Sequence, residues 1–370
     1  MLPGKTGVNY FSSRVFLNIN RMKRASSFLI TFALLLTVSG CAGIKYLTVE
    51  TREPAQVTLP SRVLSVVIAN NVVQQPNDVG HDIKPLGQAG EERVEASSDS
   101  IAIFYTEALA QFLDEEDYFH RVFYYNKPLR SDDHFFQEQP ILPGTMNTIR
   151  EETGADAIIS LDKLLIETDK REHFRQQGYT YSDMTGKIHS VLRVYMPTME
   201  GKIPAVQYTD SLRWEGFDIQ DGRAYADAMI PSREEAMKIL AVRAAEKMTN
   251  VFAPHWEMQD RWYYTSASSL MKEGEAHAKA ARWAEAIEKW EAYYNARSNK
   301  KDKGKAANNI ALAYEMIDDM EAAYKWATTA HDLLVEQTGA SSMESRRSLI
   351  YKNELQRRRD NSNRLNMQDE

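Results

Sequence analysis

Two short clusters place an imidazole beside carboxylates. These are Gly80-His81-Asp82 and Asp132-Asp133-His134. A histidine with an adjacent carboxylate can ligate a metal or move protons in hydrolysis. Both clusters lie in polar stretches, where solvated loop residues are common. Asp156, in Gly154-Ala-Asp156, sits where a helix should turn into a strand. A capping or bridging role suits it better than acid catalysis. His173 and His189 alternate with polar neighbours and are expected on the surface. A search for sharper catalytic signatures finds no G-x-S-x-G elbow, phosphate-binding loop, H-E-x-x-H zinc motif or dinucleotide fingerprint. No catalytic residue, metal or cofactor is therefore expected. An envelope hydrolase using Asp132, Asp133 and His134, or His81 and Asp82, is the enzyme alternative, and convergence of those side chains in one pocket would raise it.

The other reactive residue is Cys41, the single cysteine among 370 residues. A lone cysteine excludes an intramolecular disulfide framework. Lys23 and Arg24 precede an apolar run from Phe28 to Leu36, followed by Val38-Ser39-Gly40 and then Cys41. Basic, apolar and small residues in that order describe an export signal. The run is shorter than the ~20 apolar residues that span a bilayer. This arrangement resembles the lipobox of bacterial lipoproteins. The resemblance implies cleavage between Gly40 and Cys41 and lipidation of Cys41, whose thiolate is the nucleophile for lipid transfer. Ala42, rather than Asp, follows the cysteine, which by the same resemblance implies sorting to the outer membrane. No acidic run of the kind that marks surface export follows Cys41, which points to the periplasmic face. On that scheme Met22 is the natural start. Residues 1–40 are then an extension plus signal peptide, and 41–60 a tether to the membrane, whose Ile44–Thr51 portion is β-prone, with Pro54 and Pro60 as punctuation.

The net charge of −7 and 43% apolar content point to packed cores and away from a nucleic-acid partner. From Arg62 the pattern predicts, in order, β-α-β-α-β-β-β-α. Arg62–Val73 is a continuous apolar run suited to a buried strand. Asp99–Glu115 is a helix, with Ser98 or Asp99 as a possible cap. His120–Tyr125 is a strand. Pro143–Thr153 is a helix ended by Gly154, and Ala157–Ile166 is a strand. A hairpin follows, with Ile188, Leu192, Val194 and Met196 on one arm, Val206, Tyr208, Leu212 and Trp214 on the other, and a turn at Thr198–Gly201. A helix then opens at Pro231, with Ser232 and Glu235 at capping-box spacing. These elements make one mixed α/β domain over 61–254. The segment Leu142–Leu164 looks like part of the α/β domains of curli-secretion-type and penicillin-binding-protein-activator lipoproteins. That likeness implies a regulator of a cell-wall synthase or of a secretion apparatus as an alternative role.

Beyond Phe252 the chain turns rich in alanine, charge and aromatics. Gly274 and Ala311 align at an offset of 37 residues, together with His277 on Tyr314, Ala286 on Ala323, Trp290 on Ala327 and Tyr293 on Ala330. Small residues allow two helices to approach, and Trp290 and Tyr314 fill the space between them. The positions Gly274, Ala286, Trp290, Ala311, Tyr314, Ala323 and Ala330 resemble the packing positions of the tetratricopeptide repeat. Its unit of about 34 residues implies an insertion in the basic loop Ser298–Lys305. His277 departs from the family's aromatic, and no proline follows the second unit. Trp262-Tyr263-Tyr264 reads as a cap or divergent helix, Ser342–Arg359 as a closing helix, and 361–370 as a disordered tail.

The expected fold class is α+β, an N-terminal mixed α/β sheet domain followed by an all-α repeat domain over 255–360. The whole looks like bacterial outer-membrane lipoproteins with C-terminal tetratricopeptide repeats. The resemblance implies a non-enzymatic scaffold, held to the membrane by its lipid and binding a protein or peptide partner through its helices.

Overall fold

The computed structural model describes residues 43–130, 132–174, 180–196, 205–217 and 229–369. Cys41, Gly40, the export signal and the hairpin turn Thr198–Gly201 lie outside these residues. Among the described residues no helix is long and apolar enough to cross a membrane.

The sheet domain is organised around β6 (Ala157–Phe174). On one edge, β2 (Ser65–Asn70) runs parallel to Ala157–Leu161, and β5 (Arg121–Tyr125) lies parallel beyond β2. Farther along that edge, β3 (His81–Lys84) pairs in parallel with Thr168–Arg171 and carries the short β4 (Glu92–Arg93). The other edge of β6 pairs antiparallel with β7 (Thr180–Tyr195), which pairs with β8 (Val206–Phe217).

Helices cover both faces. Val66 and Ile68 of β2 and Ile159 of β6 share a core with Tyr105, Leu109 and Leu113 of α1 (Ile101–Glu115) and with Leu240, Ala244 and Met248 of α3 (Arg233–Phe252). Val67, Ala69 and Ile158 point the other way, into a core with Ile149 of α2 (Pro143–Thr153). That is why β2 reads as an unbroken apolar run: a strand covered on both faces has no solvent side. Ser232 Oγ accepts the Glu235 N–H at 3.1 Å, as the capping-box spacing requires. Gly154 ends α2 at φ 70°. The cap of α1 differs from expectation. Ser100 occupies it at φ 67° with no side-chain bond.

The C-terminal run comprises α4 (Ser269–Lys279), α5 (Trp283–Ala296), α6 (Lys300–Met316), α7 (Met320–Thr338) and α8 (Met343–Asp369). The mixed sheet region followed by helices makes the chain α+β. Four local expectations are corrected. The stretch read as a tether contains β1 (Ile44–Glu53), which pairs antiparallel along its whole length with β9 (His255–Tyr264). Trp262-Tyr263-Tyr264 is therefore strand, and the helical unit over 255–360 begins with a strand. The basic stretch Lys300–Lys305 opens α6 rather than forming a loop, because Asn299 accepts the Asp302 N–H at 3.1 Å and starts the helix there. The residues read as a disordered tail continue α8 to Asp369. Gln368 donates to Ala55 O at 3.1 Å and accepts the Ala55 N–H at 2.9 Å.

Candidate functional site: a charged cleft between the ribbon and the helices

The two strands β1 and β9 form a ribbon whose inner face carries Val49, Thr51, Glu53 and Arg261, all buried. Burying a guanidinium and carboxylates is costly unless each is paired. Arg261 Nε lies 3.0 Å from both oxygens of Glu315 on α6, and Tyr351 of α8 donates to the same carboxylate at 2.6 Å. Arg358 of α8 completes the shell around Glu315. A second knot lies alongside. Arg357 Nη1 reaches Glu53 at 2.5 Å, and the Asn361 amide donates to Glu53 at 3.2 Å. Burial alone would push the Glu354 carboxyl up. Arg357, Arg261 and Arg358 outweigh it and hold Glu354 below the ordinary glutamate value. Burial and the neighbouring Glu315 carboxylate keep the Tyr351 phenol protonated far above its ordinary range.

These knots floor a cleft of about 420 Å³ between β1, the α6–α7 turn and the second half of α8. Met316, Met320, Trp256 and Leu365 supply apolar wall, and Glu50 and Asp318 stand on its lining. Glu315 has its donors already in place, so the cleft offers shape and a polarised rim.

Of the repeat positions, Ala286, Trp290, Ala311 and Ala323 share one buried cluster, with Tyr314 packed against it. Gly274 of α4 faces Trp290 of α5, and Trp290 Nε1 approaches Met271 O at 3.4 Å. Ala286, Trp290, Ala311, Ala323 and Ala330 are buried, and Tyr314 is half-buried. In the next pair of helices Gly304, absent from the sequence alignment, takes the close approach, against Leu334 of α7. Its signal was a glycine two residues ahead of the alanine-rich run Ala306–Ala313. The Lys300–Lys305 charges are largely engaged locally. Lys300 meets Glu336, Lys301 meets Glu344, and Lys303 lies 4.3 Å from the Tyr294 ring centroid.

The histidine clusters do not converge. His81 is buried on β3, with Nδ1 2.9 Å from Thr168 Oγ1. Burial, and then Arg233, pull its pKa below the ordinary value, against Asp82 and Glu167. The other cluster sits on a loop, where Arg130 clamps Asp132 at 2.6 Å and His134 lies 3.1 Å from Asp133. That loop reaches β6 at Lys163, whose ammonium donates to Phe136 O at 3.2 Å. Thr168 and Lys163 are about 16 Å apart along an extended strand. Among the described residues no group of three potential ligands could hold a metal. Asp156 bridges, accepting Leu64 N–H at 3.1 Å and Ser65 N–H at 2.9 Å. His173 pairs with Asp183, and His189 with Thr209, each at 2.9 Å.

Sequence reasoning missed Asp162, which sits at an irregularity in β6 between Leu161 and Lys163. Its buried carboxylate accepts from Asn71 at 3.1 Å, Ser160 and Tyr195 at 2.7 Å and Arg193 at 2.6 Å. The signal was an aspartate in the first half of β6, between the apolar residues Ile158, Ile159 and Leu161 on one side and Leu164 and Leu165 on the other.

A family model described as a domain of unknown function (DUF8603) matches residues 63–264. The chain belongs to this family. A second model, also described as a domain of unknown function (DUF6340), matches residues 272–357 and so takes in the helices from α4 into α8. Among curated proteins none matches the chain. Among solved structures, the hypothetical protein CT253 from Chlamydia trachomatis is similar over 48% of this chain and 95% of its own, with 11% identity and a TM-score of 0.21.

Proposed function

We propose that this protein is a non-enzymatic, lipid-anchored component of the bacterial outer membrane that holds a protein partner against its C-terminal helices on the periplasmic side. The observation that carries this reading is the way the cleft's buried charges neutralise one another. Glu315 is shared by Arg261, Arg358 and Tyr351, and Glu53 by Arg357 and Asn361. A carboxylate with its donors satisfied makes a rigid wall, which suits recognition more than proton transfer. The tight seating of Trp290 on Gly274 supports reading α4 to α7 as two tetratricopeptide-like units, closed by α8. Helical units of this kind present extended binding surfaces.

The anchor reading rests on the order of residues before Cys41. It also fits the short spacing from Cys41 to the ribbon, because Gly43 O already accepts the Thr265 N–H at 2.8 Å. A lipid on Cys41 would hold the helical unit against the membrane with almost no slack. Metabolic labelling with an alkyne fatty acid tests the anchor. Wild type should carry label and Cys41→Ser should not, and equal labelling would refute it. Photo-crosslinkers placed at exposed positions of α5 and α7 test the scaffold. A discrete adduct recovered from intact envelopes is expected, and its absence at every position would count against a partner.

A further inference from the structure

The two edges of the β1–β9 ribbon are treated differently. The bond from Thr265 N–H to Gly43 O fixes Gly43 and Thr265 as a hydrogen-bonded pair, and such pairs recur at every second residue of an antiparallel ladder. The main-chain groups of Trp262 and Tyr264 therefore point away from β1. They meet α6. Asn309 accepts the Tyr264 N–H at 2.7 Å and donates to Tyr264 O at 2.8 Å, and Asn308 donates to Trp262 O at 3.4 Å. That edge is closed by side-chain amides standing in for a strand.

On β1 the same alternation turns the N–H and C=O groups of Tyr46, Thr48 and Glu50 outward. Among the described residues no strand pairs with β1 on that side. Five consecutive residues, Val49 to Glu53, line the 420 Å³ cleft. Residues of a strand alternate between faces, so a consecutive run means that the cleft opens onto the strand's edge. An unpaired edge is a template for another strand.

We propose that the open edge of β1 is a docking site for an extended segment of a partner protein, with alternating apolar and basic residues, that adds a strand to the ribbon. Main-chain groups of Thr48 and Glu50 would hold it. Its apolar residues would turn inward beside Val49, Met316, Met320 and Leu365. Its basic residues would meet Glu50 and Asp318, the two lining carboxylates that have no ionic partner among the described residues. This deepens the scaffold reading by naming a partner chemistry, and it does not depend on the lipid at Cys41.

The test uses the full chain in detergent and a fluorescent, end-blocked synthetic peptide of about seven residues, an ordinary strand length, alternating valine and lysine. The same peptide with glutamate for lysine should bind at least about tenfold more weakly. N-methylation of the central amides should abolish binding, because it removes the donors that pair with a strand. Glu50→Pro removes an outward N–H without breaking a β1–β9 bond and should abolish binding in a chain whose circular dichroism and melting are unchanged. If Glu50→Pro disturbs the fold, the N-methylated peptide still reads the edge. Equal binding of the N-methylated peptide, equal binding of the glutamate peptide, or no saturable binding at all would each overturn the proposal. So would a dimer in sedimentation that the lysine peptide fails to compete, which would assign the edge to a second copy of this chain. Peptide failure alongside a discrete crosslinked partner on α5 or α7 would sink this site and leave the scaffold standing.

Discussion

Gly274 and Trp290 are packed so closely that a Cβ on Gly274 would lie 2.3 Å from the indole Nε1 and 2.5 Å from Cδ1. The indole is fully buried, so it has no free direction in which to retreat. The small residue at the crossing and the large one above it are one packing unit. That unit sets the spacing of the α4–α5 pair.

Gly274→Ala should therefore destabilise the protein. In an open helix the change is worth about 1 kcal/mol in favour of alanine. Here the added methyl meets the indole, and overpacking costs about 1–3 kcal/mol. Set against the gain in helix propensity, a net loss of up to about 2 kcal/mol in denaturant unfolding is expected. Gly144→Ala in the first turn of α2, where a Cβ meets nothing within 4 Å, should be neutral or stabilising. Equal effects at both positions would mean that the seam is loosely packed.

Glu315→Gln should be costly out of proportion to its size. The amide keeps the shape, but Arg261 and Arg358 lose their shared counter-charge in a buried place. Removing one partner of a buried pair costs about 3–5 kcal/mol. Against the single changes Glu315→Leu and Arg261→Met, the double change Arg261→Met with Glu315→Leu should cost less than their sum, since no charge is stranded at 261. Additive losses in a double-mutant cycle would show that the two side chains act independently.

The sheet domain was legible because its signals are local. The two-sided apolar run of β2, the helical stripe of α3 and the Gly154 stop each lie within one element. Asp156 was also readable, since a residue at a helix-strand turn has few other duties. What escaped depends on distant pairing. β1 is β-prone by itself but sits in a stretch that reads as a tether until β9, some two hundred residues on, supplies its partner. Glu315 and Arg261 look like ordinary surface charges in sequence. Only the docking of α6 under the ribbon buries them. Asp162 was hidden because three of its four donors, Asn71, Arg193 and Tyr195, lie on other segments of the chain. The repeat seam lay between these cases. Its small residues could be aligned, but Gly304 was missed because it lies in the basic stretch read as an insertion loop, which in fact opens α6.

His81 should give the protein an acid-sensitive component. Burial and Arg233 hold its folded pKa below the ordinary value. A lowered pKa means that the unfolded chain binds the proton more tightly. The contribution is fully present above the unfolded value of about 6.5 and is lost as pH falls below it toward the folded value. The added slope is at most about 1.4 kcal/mol per pH unit. Urea unfolding at a series of pH values from neutral into the acid range should show this slope in wild type. His81→Gln, which can still bond Thr168, should lack it. Parallel pH curves for the two proteins would show that His81 is not held neutral.

The end of α8 should prove structural rather than dispensable. Ala55 is fully buried just after β1, and its carbonyl accepts from Gln368 and, at 2.7 Å, from Arg364. The Gln368 amide also donates to Thr58 Oγ1 at 2.8 Å. One side chain thus satisfies both main-chain groups of Ala55, where the path from β1 turns toward β2. Gln368→Ala would leave the Ala55 N–H buried without an acceptor, at a cost of about 1–3 kcal/mol. Ending the chain at Asp360 should cost more, because the Arg364 bonds are lost as well. Hydrogen exchange reads this directly. The Ala55 amide should exchange much faster in Gln368→Ala, while Val67 in the middle of β2 should keep its protection. Unchanged protection at Ala55 would mean that the amide has another acceptor and that the last turns of α8 do not hold this segment.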